Sequence, residues 1–206
     1  MSRRLRYSVA MSLDGFIADE NGGYDWIVMD PAIDFAAFMA KIDTLVMGRG
    51  TYEVTRGSGG PGFGPKVKTY VVSTTLDPSD HPDVTMVSKD VENVVADLKA
   101  QPGKDIWLFG GGVLFRSLLE AGLVDRVEVG VIPVLLGQGI PLLPGFGGAK
   151  AGDGGSAAGR GRRKDGAWAR LRLHRVEQMP KTGTLLIEYD VEKGPEKSRA
   201  ARRRAR

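Results

Sequence analysis

The stretch Thr44-Leu-Val-Met-Gly-Arg-Gly-Thr-Tyr-Glu53 decides the fold of this 206-residue chain. Its first half is an apolar run typical of a buried strand, and its second half enters a helix that Thr51 can cap. The first backbone N–H groups of a helix are unbonded, and the helix dipole favours an anion there. The stretch therefore predicts a strand–turn–helix unit whose turn binds phosphate, assisted by Arg49. The alternative is an ordinary turn with a surface arginine.

A second stretch, Ile106-Trp-Leu-Phe-Gly-Gly-Gly-Val-Leu-Phe115, repeats this arrangement later in the chain. Gly110, Gly111 and Gly112 remove every side chain from the turn and expose backbone donors to a close ligand. Tight packing of a helix on the sheet is the alternative, and the run is neither a Walker A sequence nor G-x-G-x-x-G. Two such turns in one small α/β domain indicate a ligand with phosphates at more than one point, such as a dinucleotide.

Strands and helices alternate around both turns. Strands are predicted at 5–11, 44–48, 69–74, 84–88, 105–109, 124–132, 170–178 and 184–192, the last two as a hairpin. Helices are predicted from Asp34, from Val91 to a stop at Pro102-Gly103, and over 113–121. This alternation predicts a mostly parallel eight-stranded sheet with helices on both faces and an antiparallel end. Ligands of such sheets bind beyond the carboxyl ends of the strands, where both turns lie.

Composition and charge narrow the function classes. The chain has no cysteine, which excludes disulfides, thiolate nucleophiles and Cys-ligated zinc. Its two histidines, His81 and His174, lack metal-ligand spacing, so we expect no metal site and read both as surface residues. No apolar run is long enough to span a bilayer, which predicts a cytoplasmic protein without a membrane partner.

The length fits a single domain over residues 1–192. The Gly/Arg-rich segment 145–166 is predicted to be a flexible loop within it, and residues 193–206 a disordered basic tail. The net charge of +4 comes from this tail, which holds seven basic residues and one acid, so the rest of the chain carries −2. Nucleic acid is therefore not expected as a partner.

Few side chains stand out as catalytic candidates. Asp30 and Asp34 cluster in the first long loop and at the start of the first helix. An acid there could donate a proton to a substrate, although Asp34 is equally suited to cap the helix. Ser73 and Thr74, at the end of a strand, could bond a phosphate or ribose, or only satisfy a turn.

Five stretches, in this order, resemble the dihydrofolate reductase-like superfamily. They are MSLDGFIADENG (11–22), DTLVMGRGTYE (43–53), TYVVSTTL (69–76), DIWLFGGGVLFRSLL (105–119) and DRVEVGVIPVLLGQGIPLLP (125–144). Most of all they resemble stand-alone bacterial relatives of the C-terminal reductase domain of the bifunctional riboflavin-biosynthesis deaminase-reductase. The resemblance implies an α/β three-layer sandwich whose sheet has eight mostly parallel strands and a reversed, antiparallel C-terminal strand.

The resemblance also implies NADPH as the cofactor and assigns its contacts. The phosphate region would lie on Gly48, Arg49, Gly50 and Thr51, with the 2′-phosphate near Arg49, Ser73 and Thr74. The pyrophosphate would lie on Gly110, Gly111, Gly112, Val113 and Leu114, and the nicotinamide beside Ala10, Ile17, Asn21 and Gly22. Arginine and hydroxyl donors suit NADPH, whereas a carboxylate would suit NADH. Trp26 and Phe38 are the expected substrate contacts.

The implied reaction is hydride transfer from NADPH to a pteridine-like heterocycle or a ribosylaminopyrimidine. The implied assembly is a homodimer. The long apolar run 124–136 could lie at a shared edge of that dimer or form a buried core strand. Three positions depart from the family pattern. Ala32 stands where dihydrofolate reductases carry an acid, Ser8 where riboflavin-pathway reductases have a lysine, and Phe109 or Gly110 where they have a glutamate. A catalytically silent NADP(H)-binding module of the same fold is therefore the alternative.

Overall fold

The computed structural model describes residues 3–57, 67–145 and 169–192. The strands are β1 (Leu5–Ser12), β2 (Phe16–Ala18), β3 (Ile42–Gly48), β4 (Lys68–Val72), β5 (Thr85–Val87), β6 (Asp105–Gly110), β7 (Arg126–Ile132), β8 (Ile140–Pro141), β9 (Leu171–Gln178) and β10 (Leu185–Val191). The helices are α1 (Phe35–Met39), α2 (Arg49–Gly57), α3 (Val91–Ala100) and α4 (Gly112–Glu120). The predicted flexible loop beyond residue 145 and the tail 193–206 lie outside the described residues.

One eight-stranded sheet organises the fold, in the order β5-β4-β3-β6-β1-β7-β10-β9. Strand β10 runs antiparallel to both of its neighbours, and the other neighbouring pairs of this sheet are parallel. The mostly parallel sheet with a reversed C-terminal strand is therefore confirmed. Strands β2 and β8 pair antiparallel in a separate ribbon. Neither was predicted, because three and two residues are too few to show a period.

Helices cover both faces of the sheet and make three layers. On one face, β1 contributes Leu5 and Tyr7 to an apolar core shared with α3 and α4. On the other face, β3 and β6 form a second core with α2, centred on Leu45 and Trp107. Successive side chains of a strand point to opposite faces, so Arg6 and Ser8 of β1 lie on the second face. In the part of the chain that the structure describes, no helix has the length and apolarity needed to cross a membrane.

Replacing Tyr7 with phenylalanine is expected to stabilise the fold. The Tyr7 ring is fully buried and stacks on Phe115 with centroids 3.8 Å apart, and burial raises the pKa of its hydroxyl. Among the described residues this hydroxyl has no hydrogen-bond partner. An unsatisfied buried hydroxyl costs about 1 kcal/mol or more, so Tyr7→Phe should raise the free energy of unfolding by about 1 kcal/mol. Urea-induced unfolding measures this change.

The matched control is Tyr52→Phe. The Tyr52 hydroxyl lies 3.0 Å from Nδ1 of His81 in a buried pair, so its removal should lower stability by about 1 kcal/mol. If Tyr7→Phe lowers the free energy of unfolding, as Tyr52→Phe should, the Tyr7 hydroxyl has a hydrogen-bond partner in solution.

The shared edge predicted at residues 124–136 is not an edge. Strand β7 lies between β1 and β10, and backbone hydrogen bonds occupy both of its sides. The buried core strand, which was the alternative left open from the sequence, is therefore the arrangement found, since a long valine-rich run is typical of a central parallel strand. The free edges of the sheet are β5 and β9, and every residue of β9 is exposed. The homodimer itself stays a prediction.

Candidate functional site

A cleft of about 1520 Å³ opens where β3 and β6 end and extends across β1 and β7 to β10. Both predicted glycine turns line it, together with residues of α1, α2 and α4. Binding pockets for one drug-sized molecule commonly measure about 300–1,000 Å³. This cleft therefore has room for a dinucleotide and a second, smaller ligand.

The first turn joins β3 to α2 without an intervening loop. Gly48 ends the strand, Arg49 begins the helix, and both line the cleft with Gly50 and Thr51. A methyl group added at Gly50 would meet nothing within 4 Å, so the space beside the turn is open. The Arg49 side chain is 52% exposed, and its Nη1 donates to Oγ1 of Thr75 at 3.2 Å. The turn therefore offers helix N–H groups and one accessible guanidinium to an anion.

The second turn joins β6 to α4 through Gly110 and Gly111, whose peptide bond is cis. Gly110 has φ +154°, and a Cβ there would lie 3.0 Å from Oγ1 of Thr51. Gly111 precedes α4 as its cap residue and makes no side-chain capping bond. The first N–H groups of α4 therefore lie beside the cleft without a side-chain partner from the cap.

The two turns lie side by side. A Cβ placed on Gly48 would be 4.0 Å from the backbone nitrogen of Gly111, and one placed on Gly111 would be 3.7 Å from Oγ1 of Thr51. Two helix starts thus lie next to each other, and the hydroxyl of Thr51 is the side-chain group between them. This is the arrangement expected for a ligand with neighbouring phosphates.

The other predicted cofactor residues divide into two groups. Those that line the cleft are Ala10, Ile17, Gly22, Val113 and Leu114. Asn21, Ser73 and Thr74 are not among its lining residues in the described ranges. Asn21 is exposed, and its backbone N–H donates to Asp19.

The hydroxyl of Ser73 closes a turn, which was the alternative left open from the sequence. Its Oγ accepts from the backbone N–H groups of Thr75 and Leu76 at 3.2 and 3.1 Å. This turn brings the Thr75 hydroxyl to Arg49, whose Nη1 donates to it. The sequence could have indicated Thr75 only as the next hydroxyl in the Ser-Thr-Thr run.

The predicted substrate contacts also separate. Phe38 lines the cleft and packs edge-on against Trp107, with ring centroids 4.9 Å apart. Trp26, a half-buried residue of the first loop, is not among the lining residues, and its indole nitrogen donates to the carbonyl of Gly23 at 3.2 Å. Tyr24 of the same loop lines the cleft instead. Phe38, Trp107 and Tyr24 therefore form the aromatic wall of the cleft.

The two candidate proton donors differ in position. Asp34 lines the cleft and also caps α1, because it accepts from the N–H of Ala37 at 2.8 Å. Asp30 is only 2% exposed and is not among the lining residues. It accepts from the backbone of Ala32, Lys181 and Thr182, and from the Thr182 hydroxyl. This geometry favours a structural role for Asp30, which ties the first loop to the β9–β10 turn.

Asparagine at Asp30 is expected to lower the melting temperature at neutral pH by several degrees. The N–H of Ala32 above all, and those of Thr182 and Lys181, hold the pKa of Asp30 below its usual value. A lowered folded-state pKa stabilises the fold above the unfolded-state pKa of about 3.9, and this stabilisation is lost as the pH falls. The difference between wild type and Asp30→Asn should therefore shrink below about pH 4.

Melting curves between pH 3 and pH 7 check this prediction. The control is Asp25→Asn, since Asp25 is an exposed residue of the same loop and should give no difference at any pH. A gap that stays constant across this range would show that the ionised carboxylate of Asp30 does not hold the two loops together.

A buried polar group on the cleft floor escaped the sequence analysis. Glu128 of β7 is 8% exposed and lines the cleft next to Ser8 of β1. Nε and Nη2 of Arg6 donate to its Oε1 at 2.9 and 2.7 Å, and the Ser8 hydroxyl donates to its Oε2. The signal was present as polar residues at every second position of two otherwise apolar strands.

His81 was predicted to be a surface residue and is buried, with 8% exposure. Its Nδ1 lies 3.0 Å from the Tyr52 hydroxyl and 3.2 Å from Nη1 of Arg56, so it packs beneath α2. The turn at 78–81 looked exposed because no apolar period marks it. In the described ranges, no three His, Asp or Glu side chains come close enough together to hold a metal ion.

Comparisons with known proteins place this geometry in context. Residues 3–183 match the family model of the RibD C-terminal domain. The protein YyaP of Bacillus subtilis (strain 168) is 35% identical over 151 residues, which cover 68% of this chain and 80% of YyaP. The fold is thus shared with a family of reductase domains related to riboflavin biosynthesis.

Two solved structures resemble the fold over nearly the whole chain. A putative riboflavin biosynthesis protein from Shewanella sp. PV-4 has a TM-score of 0.69 and 25% identity, covering 94% of this chain and 100% of that one. Dihydrofolate reductase from Enterococcus faecalis, complexed with NADP(H) and RAB-propyl, has a TM-score of 0.58 and 20% identity, with coverage of 94% and 100%. The second likeness concerns the fold alone.

Proposed function

Because this chain belongs to the RibD C-terminal domain family, we propose that it is a reductase that uses NADPH. The reaction is hydride transfer to a pteridine-like heterocycle or a ribosylaminopyrimidine. When bound, the reduced nicotinamide supplies the hydride. The chain's own residues bind the phosphates, orient the two rings and exclude water from the space between them.

One observation carries the proposal: two bare glycine turns, each at the start of a helix, line one cleft within contact distance of each other. A side chain at Gly48, Gly50 or Gly111 would occupy space that a diphosphate needs. The chemistry of the donors also fits, since backbone N–H groups at helix starts bind anions without a counter-charge.

The choice of NADPH over NADH rests on Arg49. The Arg49 side chain is more than half exposed, and its Nη1 donates a hydrogen bond to the Thr75 hydroxyl. A planar guanidinium pairs well with a phosphate, whereas the ribose of NADH is better served by a carboxylate. Glu53 lies 3.9 Å from Nε of Arg49, and Nη1 donates to Thr75, which leaves Nη2 to face a ligand.

The nicotinamide end of the cofactor fits a bare part of the cleft floor. Ala10 and Gly130 are paired across β1 and β7 and both line the cleft. The Ala10 methyl group and the absent side chain of Gly130 would let a flat ring lie against the sheet, beside Leu186, whose Cδ2 would be 3.4 Å from a Cβ on Gly130. The aromatic wall of Phe38, Trp107 and Tyr24 borders the remaining space, which suits a second flat ring. Asp34 is the carboxylate of this wall that could assist protonation of the substrate.

Titration with NADPH and NADH, followed by tryptophan fluorescence, tests the proposal. Trp107 lines the cleft and is a built-in reporter. We expect NADPH to bind more tightly than NADH. Arg49→Ala should weaken the binding of NADPH by about tenfold to a hundredfold and change the binding of NADH little. The control is Arg172→Ala, which removes an exposed arginine of β9 that is not among the cleft-lining residues. No saturable signal with NADPH up to about a millimolar would reject the proposal.

A silent NADP(H)-binding module is the second candidate. It is favoured by the placement of Asp30, whose oxygens are occupied by loop N–H groups, and by the capping role of Asp34. NADPH oxidation assayed with dihydropteridines and with pyrimidine ribosides separates the two. Tight NADPH binding with no turnover of any of these acceptors would favour the module.

A further inference from the structure

Two residue pairs follow each other on the cleft side of β1 and β7. Ala10 pairs with Gly130, and Ser8 pairs with Glu128. Residues two apart on a strand share a face and lie about 7 Å apart. If a nicotinamide covers the first pair, the second pair lies beneath the ring next to it. Ser8 and Glu128 are therefore placed under the substrate.

The hydrogen bonds of this pair leave acceptors, and not donors, for a ligand. Oε1 of Glu128 already accepts two N–H groups of Arg6, and Oε2 accepts the proton of the Ser8 hydroxyl. A carboxylate oxygen and a hydroxyl oxygen each have two lone pairs. One lone pair of Oε2 and the lone pairs of Ser8 Oγ are therefore uncommitted, whereas the Ser8 proton is committed to Glu128.

The charges around the pair disfavour an anion here. Nε and Nη2 of Arg6 donate to Glu128, and Nη1 of Arg6 lies 3.5 Å from the carboxylate of Asp105. Glu188 of β10 pairs directly with Glu128 across the sheet and also lines the cleft. Arg175 reaches Glu177 and Glu188. A phosphate at this point would meet two carboxylates, and the guanidinium groups beside them are already paired.

We propose that Ser8 and Glu128 recognise a hydrogen-bond-donating edge of the substrate: an amino group on a flat heterocycle. The inference rests on the proposed function and narrows it. It requires an amino-substituted ring that carries no phosphate at this edge, and both substrate classes can meet this requirement. Glu128 of β7 is then the carboxylate that faces the ring, since Ala32, which precedes α1, offers none.

Two pyrimidines of similar shape test the pair in the presence of saturating NADPH. 2,4-Diaminopyrimidine offers amino donors, and 2,4-dimethoxypyrimidine offers none. Calorimetry on the full chain should show the diamino compound binding at least about tenfold tighter. Ser8→Ala and Glu128→Gln should each reduce this ratio to near one, whereas Ser8→Thr, which keeps the hydroxyl, should preserve most of it. Ser79→Ala, an exposed serine of the turn at 78–80, is the control.

The outcomes separate this inference from the proposed function. If wild-type protein does not bind NADPH, the proposed function fails, whatever the pyrimidines do. If NADPH binds but the two pyrimidines bind equally, or neither binds, the role of Ser8 and Glu128 is overturned and the cofactor assignment stands. A ratio that survives Ser8→Ala and Glu128→Gln in variants that still bind NADPH also overturns it. If ribose 5-phosphate displaces 2,4-diaminopyrimidine from the complex with NADPH, this end of the cleft binds a phosphate, and the proposal is overturned.

Discussion

Alanine at Gly48 is expected to weaken NADPH binding by about a hundredfold while leaving the fold intact. In the protein alone, the added Cβ meets only the backbone nitrogen of Gly111, at an ordinary contact distance of 4.0 Å. The methyl group would, however, stand between the two glycine turns, where the diphosphate must approach the N–H groups. Losing one or two charge-assisted hydrogen bonds, worth about 1.5–3 kcal/mol each, gives the expected factor.

Calorimetric titration with NADPH measures the effect, and thermal unfolding shows whether the fold is kept. The control is Gly57→Ala at the other end of α2, where an added Cβ also meets nothing within 4 Å but which is not among the cleft-lining residues. It should bind NADPH like the wild type. An unchanged dissociation constant for Gly48→Ala would mean that the cofactor does not enter between the turns.

Alanine at Gly112 is expected to destabilise the whole domain by about 3 kcal/mol. Its Cβ would lie 2.6 Å from Cδ of Pro144, 2.7 Å from the carbonyl oxygen of Pro141 and 2.8 Å from that of Leu142. Two of these neighbours are backbone atoms, so the whole segment that covers α4 would have to move. A loss of this size lowers the melting temperature of a chain of this length by roughly 10 °C.

Gly111→Ala is the matched comparison for Gly112→Ala, one residue away in the same turn. Its Cβ would contact only Oγ1 of Thr51, at 3.7 Å, so its melting temperature should stay near that of the wild type. Its NADPH affinity should fall, because the methyl group faces the cleft. Wild-type stability in Gly112→Ala would show that residues 141–144 do not pack on α4 in solution.

The elements could be predicted from the sequence because their signals are local. Apolar runs such as 105–109, helical spacing such as that of Val91, Val94 and Val95, and the Pro102-Gly103 stop all act within a few residues. The structure has a strand or helix at each of these places, and α3 ends at Ala100, just before the stop. The two glycine turns were found for the same reason, since a run of glycines between a strand and a helix is itself the signal.

The partners of individual side chains could not be predicted, since they come from distant parts of the chain. Asp30 and Asp34 look alike in the sequence, yet Oδ2 of Asp30 accepts from N–H groups about 150 positions away. Glu128 became a cleft residue only when β1 was placed beside β7. Whether β7 lies at an edge or inside the sheet was left open for the same reason, because strand order is not a property of any one strand.

Local hydrophobic period and turn chemistry, read along the chain, were sufficient for the α/β class, the antiparallel end of the sheet and the places of the two glycine turns, because each depends on residues that are neighbours in sequence. Only the tertiary structure brought the two turns to within contact distance and bonded Asp30 to the β9–β10 turn. It also placed Ser8 beside Glu128 on the neighbouring strand. These pairings depend on strand order and on long-range backbone hydrogen bonds, which no short stretch of residues encodes.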